Sequence, residues 1–191
     1  MRRTISKLTL VVAFLVCAVS PQAWGSQIIN LQWSGVSFGN AATATGWMTV
    51  DAAAIPNPGS NIDAGLPSWL TGLSITVSGA SSGNGTFTLT DFSDMAWDTA
   101  GGTLNLNTQM IGQPTASAPW GTTYDGLGGD LNFFAFTPGA PDGTMFFTLT
   151  TDQGVGDSMV LTSAGAVPEP ATCSLLATSL LALLALKRKR T

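Results

Sequence analysis

Two short segments carry the residue types that a calcium site needs. Each has an aspartate at both ends and glycines between them, Asp125 with Asp130 in one and Asp152 with Asp157 in the other. Calcium takes several oxygen ligands on a flexible loop, and carboxylates with free backbone carbonyls supply them. Neither segment matches the EF-hand pattern or the nonapeptide calcium repeat. Since aspartate and glycine also form turns, no cofactor is required and calcium stays an open alternative. A third cluster has the same two interpretations, and its members are Asp91, Asp94 and Asp98.

Two tryptophans are candidate platforms for sugar rings. Trp69 and Trp120 lie in loops rich in proline and glycine, and a flat aromatic ring on a loop suits the apolar face of a sugar. The alternative is that these rings fill the core, as tryptophan commonly does in a β-sandwich. Trp33 and Trp47 lie in predicted strands, and we expect both in the core.

The charge pattern excludes several classes of function. Between Lys7 and Lys187 there is no Lys, Arg or His, yet all eleven acids lie there, so this stretch carries about −11 while the whole chain carries −4. Without cations it cannot neutralise phosphates, and we expect no nucleic-acid partner. It also has no histidine or lysine to activate a nucleophile or hold zinc. We therefore expect no enzyme, with a glycosidase that uses two aspartates as the remaining alternative.

Alternating polar and apolar residues between the two charged ends predict an all-β domain over residues 26–166. Threonine and aromatic residues favour strands, and glycine, asparagine, aspartate and serine clusters separate them. Such spacing is typical of an antiparallel β-sandwich or jelly roll. Hairpins are expected at 73–90 and 144–162, and one helical turn at 94–98. The predicted strands are 28–33, 45–50, 73–78, 86–90, 103–107, 130–136, 144–151 and 158–162.

The first 25 residues have the pattern of a secretory signal peptide. Arg2, Arg3 and Lys7 precede an apolar run from Leu8 to Val19, and small residues follow up to Gly25. A cationic start, a short apolar helix and small residues at the cleavage site are what export requires. We expect cleavage near Gly25, with an uncleaved anchor as the alternative.

The last 25 residues combine an extended motif, an apolar stretch and a basic tail. Pro168 and Pro170 flank Glu169, and the apolar residues 171–186 would form a helix of about 24 Å, slightly shorter than a bilayer core. A cluster of basic residues stays in the cytoplasm by the positive-inside rule, so both ends would place the domain outside it. The alternative is an ordinary tail anchor. The predicted stop-transfer residues are Lys187, Arg188, Lys189 and Arg190.

This C-terminal segment, residues 167–191, resembles the PEP-CTERM sorting signal of exported bacterial proteins. Its motif residues are Val167, Pro168, Glu169 and Pro170. The resemblance implies that an exosortase processes the chain after transient anchoring in the inner membrane. It further implies a non-enzymatic protein of the cell surface or extracellular matrix of a Gram-negative bacterium. The alternative function is a carbohydrate-binding module that acts on exopolysaccharide, assisted by calcium.

Overall fold

The computed structural model describes residues 25–62 and 64–166, and there the chain is all-β, as predicted. Two 3-10 turns, Val36–Phe38 and Leu89–Asp91, and one four-residue turn, Thr151–Gly154, accompany the strands. The ten strands are β1 (Ser26–Ser34), β2 (Thr43–Asp51), β3 (Ser60–Asn61), β4 (Leu70–Ser78), β5 (Gly85–Thr88), β6 (Phe92–Asp98), β7 (Asp130–Ala135), β8 (Asp142–Met145), β9 (Thr148–Thr150) and β10 (Ser158–Ala166).

The strands form two antiparallel sheets in a sandwich-like arrangement. The larger sheet has the order β5-β4-β2-β1-β10-β9-β8, and the smaller has the order β3-β6-β7. The first and last strands are neighbours in the middle of the larger sheet, where Ile29 is opposite Ala166. Both predicted hairpins form, since β4 pairs with β5 and β9 pairs with β10.

No helix within the described ranges is long and apolar enough to cross a bilayer. The predicted signal-peptide helix and the predicted transmembrane helix fall in residues 1–24 and 167–191, outside the part that the structure describes.

Alternation along each strand decides which side chains enter the core. In β1 the apolar side chains of Ile29, Leu31 and Trp33 are buried, while Asn30 and Gln32 between them are exposed. Successive side chains of a strand point to opposite faces, so a period of two places all apolar residues of β1 on one side. The core therefore lies on the inner side of the larger sheet, against the smaller one.

Aromatic rings fill the space between the sheets. Trp33 of β1 meets Phe133 of β7 edge to face, with ring centroids 6.5 Å apart. Trp120 lies between Trp97 and Phe147, with centroids 5.8 Å and 4.9 Å away respectively. Its indole N–H donates to the carbonyl oxygen of Asp98 at 2.8 Å, so the polar end of a buried ring is satisfied.

Two of the predicted strand assignments are wrong. Residues 103–107 form no strand, although Leu104 and Leu106 are buried as the alternation predicts. The Asn57 carboxamide takes the place of a neighbouring strand there, accepting from the Leu104 amide at 2.8 Å and donating to its carbonyl at 2.7 Å. The predicted strand 144–151 is divided into β8 and β9 by a turn in which Phe147 has φ of 60°.

The helical turn expected at 94–98 is also wrong, because these residues belong to β6. This strand pairs with β7 from Phe92 to Asp98 and is irregular between Phe92 and Asp94. Met95, Ala96 and Trp97 are all buried, which hides the period of two in the sequence. A continuous apolar run of this kind does not distinguish a buried strand from a helix.

Replacing Trp120 by Ala should destabilise the domain by about 3–5 kcal/mol, since it removes a fully buried ring and leaves a cavity. Trp47→Ala is the matched control, because this ring is 42% exposed and its loss should cost about 1 kcal/mol or less. Denaturant unfolding of the two variants measures the difference. Equal destabilisation by both would contradict the assignment of Trp120 to the core.

Candidate ligand-binding site

Polar uncharged side chains cover the outward face of β5, β4, β2 and β1, which we call the outer face. The strand registers align these side chains in two rows across the sheet. One row has threonines and a glutamine, and the next contains a tryptophan between a serine and an asparagine. The rows are Thr86, Thr76, Thr45 and Gln32, then Thr88, Ser74, Trp47 and Asn30. No member of either row carries a charge.

Trp47 lies at the middle of the outer face and is 42% exposed, so our expectation that it belongs to the core was wrong. The reason is the phase of β2. Met48 and Val50 point into the core, and Trp47 therefore shares the opposite face with Thr45. The sequence contains a signal for this orientation. Thr45 shares a face with Trp47, and a polar residue at that position marks the face as outward.

A glycine on the neighbouring strand makes room for the Trp47 ring. A Cβ atom at Gly72 would lie 3.0 Å from Cζ3 of Trp47, closer than carbon atoms normally approach. The indole therefore extends over β4 at the position that a larger residue would fill. An aromatic ring that covers a glycine on an adjacent strand is a recognised way to fix the register of the two strands.

The side chains around Trp47 border a shallow groove of about 280 Å³ that includes Asn30, Gln32, Thr45 and Ser74. Thr76 also lines it, with its hydroxyl bonded to that of Thr86 at 2.9 Å. In the part of the chain described here, the other four polar side chains form no hydrogen bond with the protein. The groove thus presents two free carboxamides and two free hydroxyls next to an aromatic ring, and sequence reasoning had assigned no site there.

Trp69 and Trp120, our predicted loop platforms, do not present a ring to solvent. Trp69 is 6% exposed and Trp120 is fully buried. Trp69 packs edge to face on Trp97 at 6.1 Å, and Trp97 packs in turn on Trp120. The loops fold over the end of the core and carry their rings inward, so the expectation of a sugar platform on these two residues was wrong.

The four aspartates predicted for calcium are not brought together. Within residues 25–62 and 64–166 no three acidic, histidine or cysteine side chains group as metal ligands would. Asp125 accepts from the Leu127 amide at 3.0 Å and Asp157 from the Ser81 amide at 2.6 Å. Asp152 lies in the turn Thr151–Gly154 with φ of 54°, and Asp130 is buried.

The third aspartate cluster also consists of local caps. Asp91 accepts from the Thr88 amide at 2.7 Å, and this bond holds the pKa of Asp91 below its usual value. Asp94 accepts from the amide of the next residue at 2.6 Å. Asp98 accepts from the Ala100 amide at 2.9 Å, which shapes the bend after β6. Each carboxylate thus satisfies nearby backbone N–H groups.

Asp130 is the buried acid among the residues that the structure describes. Its Oδ1 accepts from the Phe147 amide and from the Asn132 carboxamide, both at 3.0 Å. Desolvation raises the pKa of Asp130 to about 6. The negative charge of Asp98, directly opposite on β6, also raises this pKa, by a smaller amount. Neither carboxyl borders the outer-face groove. The pair therefore does not supply that groove with the two acids that a glycosidase would use.

Asp130→Asn should flatten the pH dependence of stability between pH 4 and 6. The pKa of Asp130 in the folded protein, about 6, lies above its ordinary value of 3.8. The wild-type fold is therefore favoured at low pH and loses about 2 kcal/mol of stability between pH 4 and pH 6. The variant cannot ionise at this position and should keep that stability. Unfolding free energies at half-unit pH steps measure the difference.

Asp125→Asn is the control for this experiment. The Thr123 hydroxyl and the Leu127 amide hold the pKa of Asp125 below its usual value, so this exposed carboxylate adds only a small change in stability across the window. Its profile between pH 4 and 6 should match that of the wild type. A wild-type profile with no fall in this window would contradict the burial effect on Asp130.

The predicted sorting residues 167–170 and 187–190 lie outside the described residues, so the structure gives no geometry for them. No family model, curated protein or solved structure matches this chain. The functional argument therefore depends on the residues of the two ends and on the geometry of the domain between them.

Proposed function

We propose that this protein is an exported, non-enzymatic component of the cell surface or extracellular matrix. An exosortase would process it through the C-terminal signal, after the chain has been held transiently in the inner membrane of a Gram-negative bacterium. The observation that carries the proposal is the order of motif, apolar stretch and basic tail in residues 167–191, on a chain that begins with an export signal. On this proposal the domain is a β-sandwich that functions after release.

The limits of the folded domain support this proposal. β1 begins at Ser26, directly after the expected cleavage near Gly25, and β10 includes Ala166, the last described residue before the motif. Both strands lie inside the larger sheet, with neighbours on each side. Cleavage at the two expected positions would therefore leave all ten strands and their hydrogen bonds in place.

The relative position of the chain ends also supports it. Because β1 and β10 are antiparallel and Ile29 is opposite Ala166, the start of β1 and the end of β10 lie at the same end of the sheet. A signal peptide and a membrane anchor would thus both connect to the same end of the domain. Both connections could therefore reach the same membrane without either of them crossing the sheet.

The separation of positive charge at the two ends from negative charge in the domain also supports the proposal. Every cation of the chain lies outside residues 8–186, on the segments that face the cytoplasm or are removed. The domain itself has ten aspartates and no Lys, Arg, His, Cys or Glu. Its high negative charge favours solubility, and this set of residue types offers little for catalysis.

The motif has the physical properties of a segment that a processing enzyme can bind. Prolines on both sides of Glu169 restrict the backbone to an extended form close to polyproline II. A membrane anchor behind the motif would hold it at a constant height, which raises its effective concentration near an enzyme in the same membrane.

Deleting Lys187–Arg190, or replacing Glu169 by Ala, should leave the protein unprocessed in the membrane fraction of the producing cells. The deletion removes the stop-transfer charge, and the substitution removes the charged residue between the two prolines. Fractionation and immunoblotting of the native protein measure the outcome.

The matched control is the double variant Lys187→Arg with Lys189→Arg, which keeps all four positive charges and should be released normally. Normal release of the deletion variant and of Glu169→Ala would contradict the sorting proposal.

A further inference from the structure

We infer that the outer face binds an uncharged polysaccharide chain, with Trp47 as its aromatic platform. This inference goes beyond sorting and release and depends on neither. It concerns a different part of the molecule from Trp69 and Trp120, which are buried.

The first argument is electrostatic. All ionisable side chains of the domain are aspartates apart from Tyr124, and the two rows of the outer face contain none of them. An anionic polymer would meet no cation on a domain of such negative charge and would be repelled. The aspartates that a cationic partner would bind lie outside these two rows. The face is therefore matched to a ligand without charge.

The second argument is the hydrogen-bonding chemistry around Trp47. The carboxamides of Asn30 and Gln32 each donate and accept, and the hydroxyls of Thr45 and Ser74 do the same. These groups lie side by side and have no partner among the described residues. Sugar hydroxyls also donate and accept, so such a mixed set satisfies them more fully than charged groups or backbone alone.

The third argument is the position of the ring. Trp47 extends over Gly72 and is flanked by Asn30 on one neighbouring strand and Ser74 on the other. An exposed indole presents an apolar surface with a polar N–H at one edge, as the C–H face and hydroxyl rim of a sugar require. Because the ring and its polar neighbours lie on paired strands, they are positioned before the ligand binds.

The shape of the groove favours a polymer over a small molecule. Its volume of about 280 Å³ is at or below the lower limit for pockets that enclose a small ligand. It lies on a face of four adjacent strands, which is about 14 Å wide at the usual strand spacing. A chain that lies along an open face gains contacts from several sugar rings in succession.

A second copy of this protein fits the face less well. Ile28, which is 48% exposed, and Trp47 are the large apolar residues that β1, β2 and β4 direct outward. Interfaces between identical subunits have a core that is more apolar than this. Two facing copies would also each bring the full negative charge of the domain to the contact.

The test is binding of the full-length chain, in a detergent without a sugar headgroup, to insoluble β-1,4-glucan, β-1,3-glucan and β-1,4-mannan. The wild type should sediment with at least one of them, unaffected by 0.5 M NaCl, and less with an anionic polyuronate. Trp47→Ala should weaken this binding by about tenfold or more. Gly72→Val should also weaken the binding, because the valine side chain would overlap the Trp47 ring and displace it.

Phe136→Ala is the matched control, since Phe136 is 59% exposed but lies outside the outer face. It should bind as the wild type does. All variants should unfold cooperatively, with Trp47→Ala destabilised by about 1 kcal/mol or less, so that weaker binding cannot be ascribed to unfolding. Absence of wild-type binding to all three neutral polymers, or equal binding by Trp47→Ala, would overturn the inference. Conversion of a dimer to a monomer by Trp47→Ala would overturn it too, in favour of a second copy. These binding results do not bear on the sorting proposal, which is tested separately by release of the protein from cells.

Discussion

The contact of aromatic rings between the two sheets is the interaction on which the rest of this fold depends. Trp33 and Phe133 join β1 to β7, and the Trp97–Trp120 pair joins β6 to the loop between β6 and β7. Residues 26–166 contain no cation and no cysteine, so neither an ion pair between side chains nor a disulfide can connect the sheets. Burial of large rings in edge-to-face contacts, each worth about 0.5–1.5 kcal/mol beyond its buried area, supplies the connection instead.

Because the inner faces of the sheets carry the apolar residues of the core, the side chains on the outward faces are not constrained by core packing. On β1, β2 and β4 most outward side chains are hydroxyl and carboxamide groups. Aspartates such as Asp125 and Asp98 cap nearby backbone N–H groups. One large ring, Trp47, remains on this polar surface over a glycine. The same alternation that builds the core therefore also builds the proposed binding surface.

The sequence predicted the fold class and most of the strands, because strict alternation, as in β1 and β4, encodes both the strand and its buried face. It failed where tertiary contacts replace local pattern. Asn57 occupies the position of a strand next to Leu104, and β6 is apolar on successive residues. The candidate site was missed for a related reason. Loop tryptophans were preferred to Trp47, although the loops fold inward and the phase of β2 turns its ring outward.

The fold of the domain is compatible with our proposal that the protein is translocated. The first and last strands, β1 and β10, lie side by side, and β1 begins at Ser26, next to the expected cleavage near Gly25. The chain has lysines only at 7, 187 and 189, so its primary amines report directly on processing. The most direct measurement is the intact mass of the native protein from culture after labelling with an amine-reactive reagent. The account predicts one label, on an N-terminus near residue 26, and a C-terminus at or near residues 167–170. A chain with three labels, on its N-terminus, Lys187 and Lys189, and with a mass that extends to Thr191, would contradict it.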